Sequence, residues 1–109
     1  MVQSFTIKVK DILRRIPPGK VTTYGLVAAA AGDYRGARQV ARILHSSSEK
    51  DKLPWHRVVN REGKISICSP EWNQIQRNLL EKEGIIFSKN DKIDFQKFLW
   101  NPAAVLFDV

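Results

Sequence analysis

The sequence predicts a small, mainly helical domain with one helix-turn-helix and one β-hairpin. Three observations predict this class: apolar residues recur at helical spacing in several segments, proline and glycine separate those segments, and β-branched residues flank one polar turn. The chain has 109 residues, of which 43% are hydrophobic, enough for one core and too few for two. We therefore predict a single domain over residues 1–109, without room for a separate catalytic domain.

The first helix is expected to extend to about residue 16. Its apolar residues recur at helical spacing, namely Phe5, Val9, Ile12, Leu13 and Ile16. The run 17–19, Pro-Pro-Gly, ends it because proline cannot continue the hydrogen-bond ladder. Thr22 or Thr23 can then cap a second helix, which Gly32 closes as a left-handed cap.

A third helix follows the short link 33–35 and has two distinct sides. The apolar side is formed by Ala37, Val40, Ala41 and Leu44, and the basic side by Arg35, Arg38 and Arg42. Two short helices joined by a tight turn are typical of a helix-turn-helix.

The second half of the chain begins with the polar segment 46–52, which has no periodicity and predicts an exposed, mobile loop. Residues 57–59 and 64–67 flank a four-residue connection and together predict the hairpin, with Trp55 at its edge. A fourth helix, stopped by Gly84, is marked by Trp72, Ile75, Leu79 and Leu80. Residues 85–87 are expected to return to the core as a short extended piece.

The net charge of +7 has the sign and size expected of a surface that meets a polyanion. The arginine side of the third helix predicts phosphate contacts, because guanidinium groups match the geometry of phosphate oxygens. The alternative is an ordinary solvated helix face.

Several classes of protein are excluded by what the sequence lacks. No apolar run approaches the roughly 20 residues that a membrane span needs, and the amino terminus lacks a signal-peptide pattern. We therefore expect a cytoplasmic protein without membrane contact.

The single cysteine, Cys68, cannot form an internal disulfide, and with only His45 and His56 in the chain there is no zinc-ligand spacing. Neither a metal nor a cofactor is expected.

The run 54–59, Pro-Trp-His-Arg-Val-Val, resembles the reactive-site strand of the O6-alkylguanine-DNA alkyltransferases, with Trp55 in place of the acceptor cysteine. The runs 20–25, 36–40 and 79–84 match further motifs in the family's order, so the resemblance spans residues 3 to 102. An indole has no ionisable thiol. The chain is therefore identified as a member of the alkyltransferase-like proteins, the non-catalytic branch, and not as an enzyme.

This resemblance implies a winged helix-turn-helix-like DNA-binding domain of the alkyltransferase carboxyl-terminal type. The amino-terminal domain that these enzymes usually carry is expected to be absent. The third helix would lie in the minor groove, where Gly36, Ala37 and Ala41 permit close approach.

The resemblance also implies roles for individual DNA-contacting residues. Tyr24 would crowd the phosphate beside the target nucleotide, and Arg38 would enter the duplex as a finger, so that together they flip the nucleotide. Gln39 is the main base-edge reader on the helix, and Ser47 replaces the family asparagine that braces the following turn. Seen in isolation, Tyr24 would be an ordinary half-buried helix aromatic.

A pocket for the flipped base is implied around Trp55, which could pack against the alkylated purine. A core tryptophan is the alternative reading. The other pocket residues are Pro54, Val58, Cys68, Ser69 and Trp100. The loop departs from the family at 69–71, where Ser-Pro-Glu replaces Ser-Gly-Gly. The tail 98–102 resembles the ending of bacterial alkyltransferase-like proteins, which enlarges the pocket, whereas Val105, Leu106 and Phe107 are expected only to anchor the carboxyl terminus.

His56 and Glu83 match the family residues that relay a proton away from the acceptor thiol. Without that thiol, the relay has no proton to transfer. We expect both side chains to form a buried polar network with Arg57 instead, which fixes the hairpin against the fourth helix.

The function implied is that of a monomer that binds duplex DNA containing O6-alkylguanine, flips the damaged nucleotide and flags it for nucleotide excision repair proteins. Two alternatives stay open: an alkyl acceptor at Cys68, and a sequence-specific regulator that uses the helix-turn-helix in the major groove. The sequence leaves open the preferred alkyl group, the docking surface for repair partners, the role of Cys68 and whether lesions are shielded from a true alkyltransferase.

Overall fold

The computed structural model describes residues 4–103 and is mainly helical, as predicted. Its helices are α1 (Phe5–Arg14), α2 (Tyr24–Ala30), α3 (Ala37–Asp51), α4 (Pro70–Lys82) and α5 (Phe95–Phe98), and its strands are β1 (Thr22–Thr23) and β2 (Val58–Val59). Within this part of the chain, no helix is long and apolar enough to cross a membrane.

The first three helices form the helix-turn-helix body around one core. α1 begins after Ser4, whose side chain accepts a hydrogen bond from the N–H of Ile7 at 3.2 Å. Thr23 caps α2 in the same way by accepting from the N–H of Leu26 at 3.1 Å. Gly32 and Gly84 follow α2 and α4 with φ of +104° and +96°, so both predicted stops are confirmed. The buried residues of this first core come from α1, α2, α3, the segment before β2 and β2 itself, and include Val9, Leu13, Val27, Val40, Leu44, Leu53 and Val58.

The predicted loop at 46–52 is wrong, because α3 continues to Asp51 and ends with Lys52 in the left-handed conformation. The hydroxyl of Ser46 donates to the carbonyl of Arg42 at 2.9 Å, so it is satisfied inside the helix. An ion pair of 2.7 Å between Lys10 and Asp51 ties the end of α3 to α1. The last two turns of α3 carry polar residues because they lie beyond Leu44, the last residue of the helix in the core. A polar sequence alone therefore does not exclude a helix.

The predicted hairpin is also wrong in its pairing. β2 pairs with β1 in parallel, with Thr22 opposite Val58 and Thr23 opposite Val59, and residues 64–67 form no strand. The side chain of Asn60 does close the expected turn by accepting from the N–H of Lys64 at 3.0 Å. A parallel pair requires a long crossover connection, here α2 and α3, which a local turn pattern cannot reveal.

α4 begins at Pro70, slightly before the first apolar marker, and packs over a second core. The expectation of one core is therefore wrong, because the buried residues divide into two clusters. The second core collects residues from the position before β1, from β2, from α4 and from the carboxyl-terminal segments, namely Val21, Val59, Leu80, Ile85, Ile93 and Phe98. Ile85 returns to the core as predicted, whereas the sequence did not predict α5. Val105, Leu106 and Phe107, expected to anchor the carboxyl terminus, lie outside the described residues.

Candidate nucleic-acid interface

The solvent-facing side of α3 carries two exposed arginines. Arg38, Gln39, Ala41 and Arg42 are all exposed there. The prediction that Ala41 lies on the buried side of α3 is therefore wrong. The side of α3 that faces the core is occupied by Val40 and Leu44. Within residues 4–103, Arg38 and Arg42 make no side-chain hydrogen bond or ion pair, so their guanidinium donors are free.

The amino-terminal end of α3 is held close to α1 at Gly36. A Cβ atom on this buried residue would lie 2.7 Å from a ring carbon of Phe5, which is closer than contact allows. A larger residue at this position would therefore have to displace the Phe5 ring, so packing within the protein favours glycine in addition to any close approach of DNA.

Two predicted contact residues lie in different positions from those expected. Arg35 precedes α3 in the turn, where its guanidinium carbon stands 5.5 Å from the Tyr34 ring centroid and its Nε donates to the Tyr34 hydroxyl at 3.3 Å. Ser47 lies inside α3 and is half-buried, so it braces no turn after the helix. Both corrections follow from the bounds of α3, which begins after Arg35 and continues beyond Ser47.

Three aromatic residues converge on the first core from different parts of the chain. Tyr24 is the first residue of α2, Trp55 precedes β2 and Trp100 lies in the carboxyl-terminal tail, and all three pack partly buried against this cluster. The backbone of Trp100 also donates to the carbonyl of Val21 at 2.7 Å. The tertiary structure therefore brings the predicted flipping tyrosine and two predicted pocket residues to the same core.

Trp55 lies on a short 3₁₀ turn, Trp55–Arg57, that leads into β2. α4 holds this turn through Gln76, which is 1% exposed and donates to the carbonyls of His56 and Val58, both at 3.0 Å. Sequence reasoning missed Gln76. The available signal was a glutamine in an otherwise apolar row of the helix, four residues after Trp72 and four before Leu80.

The exposed neighbour of Trp55 is Trp72, a second residue that sequence reasoning used only as a helix marker. The ring centroids of the two tryptophans lie 5.8 Å apart, with an interplanar angle of 77°. We call this pair the aromatic corner. Its members are 17 positions apart in sequence, and no local pattern links them.

The other predicted pocket residues differ in their access to solvent. Pro54 is half-buried and Cys68 is an exposed free thiol, whereas Val58 is fully buried and therefore presents no surface to a ligand. Ser69 caps α4 by accepting from the N–H of Trp72 at 3.4 Å, so its side chain has a structural role.

Two surface cavities accompany this site without coinciding with it. One of about 320 Å³ lies between α1 and α3 and is lined by Phe5, Thr6, Gln39, Arg42 and Ile43. The other, of about 240 Å³, is lined by Lys64, Ile65, Asn73, Arg77, Phe87, Asn90 and Asp91. Trp55 lines neither, so these cavities are not the pocket that the sequence predicts.

His56, Arg57 and Glu83 form a hydrogen-bonded group beneath the turn. Glu83 accepts from His56 Nε2 at 2.9 Å, from Arg57 Nε and Nη2 at 3.0 and 2.7 Å, and from the N–H of Gly19 at 3.1 Å. Arg57 Nη1 donates to the carbonyl of Ile16 at 3.0 Å. We call His56, Arg57 and Glu83 the polar clamp.

The polar clamp holds its carboxylate in the ionised form. Burial raises the pKa of Glu83, but the hydrogen bonds from Arg57, His56 and Gly19 outweigh it and lower the pKa to about 2. A carboxylate with this pKa and four donors is a poor proton acceptor at neutral pH. The group therefore has the chemistry of a structural anchor for the Trp55 turn.

The chain is similar to known proteins over most of its length. The model of the 6-O-methylguanine DNA methyltransferase DNA-binding domain matches residues 4–85. A DNA base-flipping protein of Escherichia coli (strain K12) is 49% identical over 98 residues, which cover 90% of this chain and 75% of the relative. Alkyltransferase-like protein 1 of Schizosaccharomyces pombe is 35% identical over 108 residues, which cover 93% of this chain and 98% of the relative.

A solved structure gives the same assignment. The S. pombe alkyltransferase-like protein in complex with damaged DNA containing O6-carboxymethylguanine superposes with a TM-score of 0.78 at 33% identity, covering 91% of this chain and 98% of that one. Together, the matched domain, the similar relatives and the shared fold show that this chain belongs to the alkyltransferase-like proteins, within the family of the 6-O-methylguanine DNA methyltransferase DNA-binding domain.

Proposed function

We propose that this protein binds duplex DNA containing O6-alkylguanine, flips the damaged nucleotide and holds it without transferring the alkyl group. The observation that carries the proposal is Trp55, which stands where the resembled enzymes have their acceptor cysteine and packs beside a second, exposed tryptophan. An aromatic wall at this position can contact a flipped purine by stacking or edge contact but cannot accept an alkyl group.

The α3 surface supports contact with the duplex. Arg38 and Arg42 project free guanidinium groups from a helix face that is otherwise small at Ala41, so the backbone can approach DNA closely. Extruding a base costs a few kcal/mol, and an arginine that fills the vacated stack recovers part of this free energy. Arg38 is the residue we assign to this role, and Tyr24 would crowd the adjacent phosphate.

The absence of alkyl transfer is proposed on chemical grounds. The nucleophile in such a reaction is a thiolate, and the one thiol of the chain, Cys68, lies on an exposed segment 13 positions after Trp55. The residues that match the proton relay, His56 and Glu83, are hydrogen-bonded to each other and, through Glu83, to Arg57. Intact-protein mass after incubation with alkylated DNA tests this point, because one added alkyl group on Cys68 would refute it.

We also infer that the bound lesion is handed to nucleotide excision repair proteins, since a sensor that repairs nothing is useful only if another system acts. The proposal includes a monomeric state and a cytoplasmic location. Co-sedimentation of the lesion-bound protein with purified excision-repair proteins, compared with the undamaged complex, tests the handover.

The decisive test of lesion recognition is a competition titration at one fixed salt concentration, with the same duplex carrying either guanine or a single O6-methylguanine. Wild-type protein is expected to prefer the lesion, and Trp55→Ala to change that preference. Arg61→Ala, which removes an exposed charge from the turn after β2, serves as the control. Equal affinity for both duplexes would refute a damage sensor and would favour the sequence-specific regulator.

A further inference from the structure

The aromatic corner has one fixed wall and one open wall. Trp55 packs partly buried against the first core, whereas Trp72 is 53% exposed although an indole offers a large apolar surface for burial. The two rings stand nearly perpendicular, at 77°. The pair therefore forms an apolar angle at the surface of the protein, bounded on one side by a ring that solvent reaches.

The fold of α4 does not account for an indole at position 72. The helix is capped by the Ser69 side chain and is joined to the Trp55 turn by Gln76, and neither interaction uses the Trp72 ring. About half of the Trp72 surface remains in water, which forgoes part of the free energy that burial would provide. An exposed aromatic beside a binding residue is typical of recognition surfaces, where it contacts the ligand.

We propose that Trp72 sets the preference of the lesion site for large apolar O6 substituents, an inference that rests on the lesion binding proposed above. A methyl group is small and is expected to contact Trp55 alone. A benzyl group is long and flat enough to lie in the aromatic corner and contact both indoles. Because contact with an aromatic side chain favours binding of a flat apolar group, the second wall should raise affinity for a benzyl adduct about tenfold.

The test is a competition titration at one salt concentration with three duplexes that differ only in the central base: guanine, O6-methylguanine or O6-benzylguanine. Wild-type protein is expected to bind the benzyl lesion more tightly than the methyl lesion. Trp72→Ala should lose about tenfold in affinity for the benzyl lesion, while its ratio of methyl to guanine affinity stays within about twofold. Trp72→Phe, which keeps an aromatic ring, should retain most of the benzyl preference.

The control variant is Ile86→Ala, which removes another exposed apolar side chain and should change none of these ratios. Ile86 follows the carboxyl-terminal end of α4, and the ten helical steps from Trp72 to Lys82 alone span about 15 Å along the helix axis. Thermal unfolding of Trp72→Ala and Trp72→Phe checks that both variants are folded in the titration.

Each outcome separates the two proposals. If Trp72→Ala leaves the ratio of benzyl to methyl affinity unchanged, Trp72 contributes nothing to lesion preference and the inference is wrong. It is equally wrong if affinity for both lesions falls by the same factor, because Trp72 then only supports Trp55. A wild-type protein that does not distinguish O6-methylguanine from guanine would instead refute the proposed function, whatever the variants do.

Discussion

Arg57 and Arg38 are arginines of the same small domain in opposite situations. Arg57 is 15% exposed and all three of its guanidinium nitrogens donate within the protein, two to Glu83 and one to the carbonyl of Ile16. Arg38 is exposed on α3 and has no side-chain partner within residues 4–103. The guanidinium donors of Arg57 are all used within the protein, whereas those of Arg38 remain available to a ligand.

The difference shows how one residue type serves folding in one region and remains available for binding in another. An anion that approached Arg57 would have to displace the Glu83 carboxylate and leave it unpaired, which costs several kcal/mol. An anion that approaches Arg38 displaces only water and restricts the side chain. Substitutions in the polar clamp should therefore change stability, and substitutions on α3 should change DNA affinity.

The largest effect is expected from Glu83→Gln, which removes the negative charge that accepts hydrogen bonds from Gly19, His56 and Arg57. We expect a loss of about 3 kcal/mol in the free energy of unfolding, because Arg57 loses its ionic partner in a largely buried position. Urea unfolding at pH 7 measures it. Asp91→Asn is the control, since the Asp91 partner of Arg77 is 73% exposed and its loss should cost less than about 1 kcal/mol. Equal losses in both variants would contradict the assignment of the polar clamp.

Gln76→Ala tests the connection between α4 and the Trp55 turn. We expect a loss of about 2–3 kcal/mol, because the carbonyls of His56 and Val58 lose their donor and a small cavity forms. Gln74→Ala, on the exposed face of the same helix, should change stability by less than about 0.5 kcal/mol. A Gln76 variant as stable as the Gln74 variant would show that the hydrogen bonds from Gln76 contribute nothing to stability.

The polar clamp also predicts a defined pH dependence. Because the folded-state pKa of Glu83 is lowered from 4.5 to about 2, its stabilisation is complete above about pH 4.5 and is lost as pH falls towards 2. Linkage gives a loss of about 2 kcal/mol between pH 7 and pH 3 from this group. Urea unfolding across this range should show this loss in the wild type but not in Glu83→Gln. Parallel profiles for the two proteins would mean that other carboxyl groups cause the acid sensitivity.

On the α3 surface, Arg38→Ala should reduce affinity for an O6-methylguanine duplex about tenfold while leaving the free energy of unfolding within about 0.5 kcal/mol. The expected loss is greater for the lesion than for undamaged DNA, because the finger acts only when a nucleotide is flipped. Arg61→Ala removes one positive charge from the turn after β2, away from α3, and should have little effect on lesion preference. A stability loss as large as that of Glu83→Gln would place Arg38 in the fold rather than in the interface.

The smallest effect is expected for Arg42→Ala, which removes a phosphate contact without a role in flipping. Affinity should fall about threefold, equally for damaged and undamaged duplexes, and the slope of log affinity against log salt should decrease by about 0.9. Titrations at several salt concentrations measure this slope. An unchanged slope would show that Arg42 does not meet a phosphate.

Much of the helical framework could be predicted from the sequence. The end of α1 near Ile16, the Thr23 cap of α2 and the stop at Gly84 follow from capping chemistry and apolar periodicity, which act over a few residues. The association of His56, Arg57 and Glu83 was predicted from motif positions, and the structure places them within hydrogen-bonding distance. The DNA-contacting roles of Tyr24, Arg38 and Gln39 remain predictions.

The failures have a common physical cause. The last two turns of α3 lack an apolar face, so the pattern indicated a loop where serine hydroxyls and an ion pair to Lys10 complete a helix. The valines of β2 suggested a hairpin with the residues that follow, but their partner is β1, more than thirty positions earlier. Trp72 and Gln76 were missed because each meets the Trp55 turn only after α4 has folded back over it.

Residues that are neighbours along the chain were sufficient to predict that the chain is mainly helical, where α1, α2 and α4 stop, and which family motifs it carries. The parallel pairing of β1 with β2, the aromatic corner and the burial of Val58 become visible only in the folded protein. These features depend on contacts between segments that are distant in the sequence. The free energy of such contacts comes from the assembled core, which local periodicity does not record.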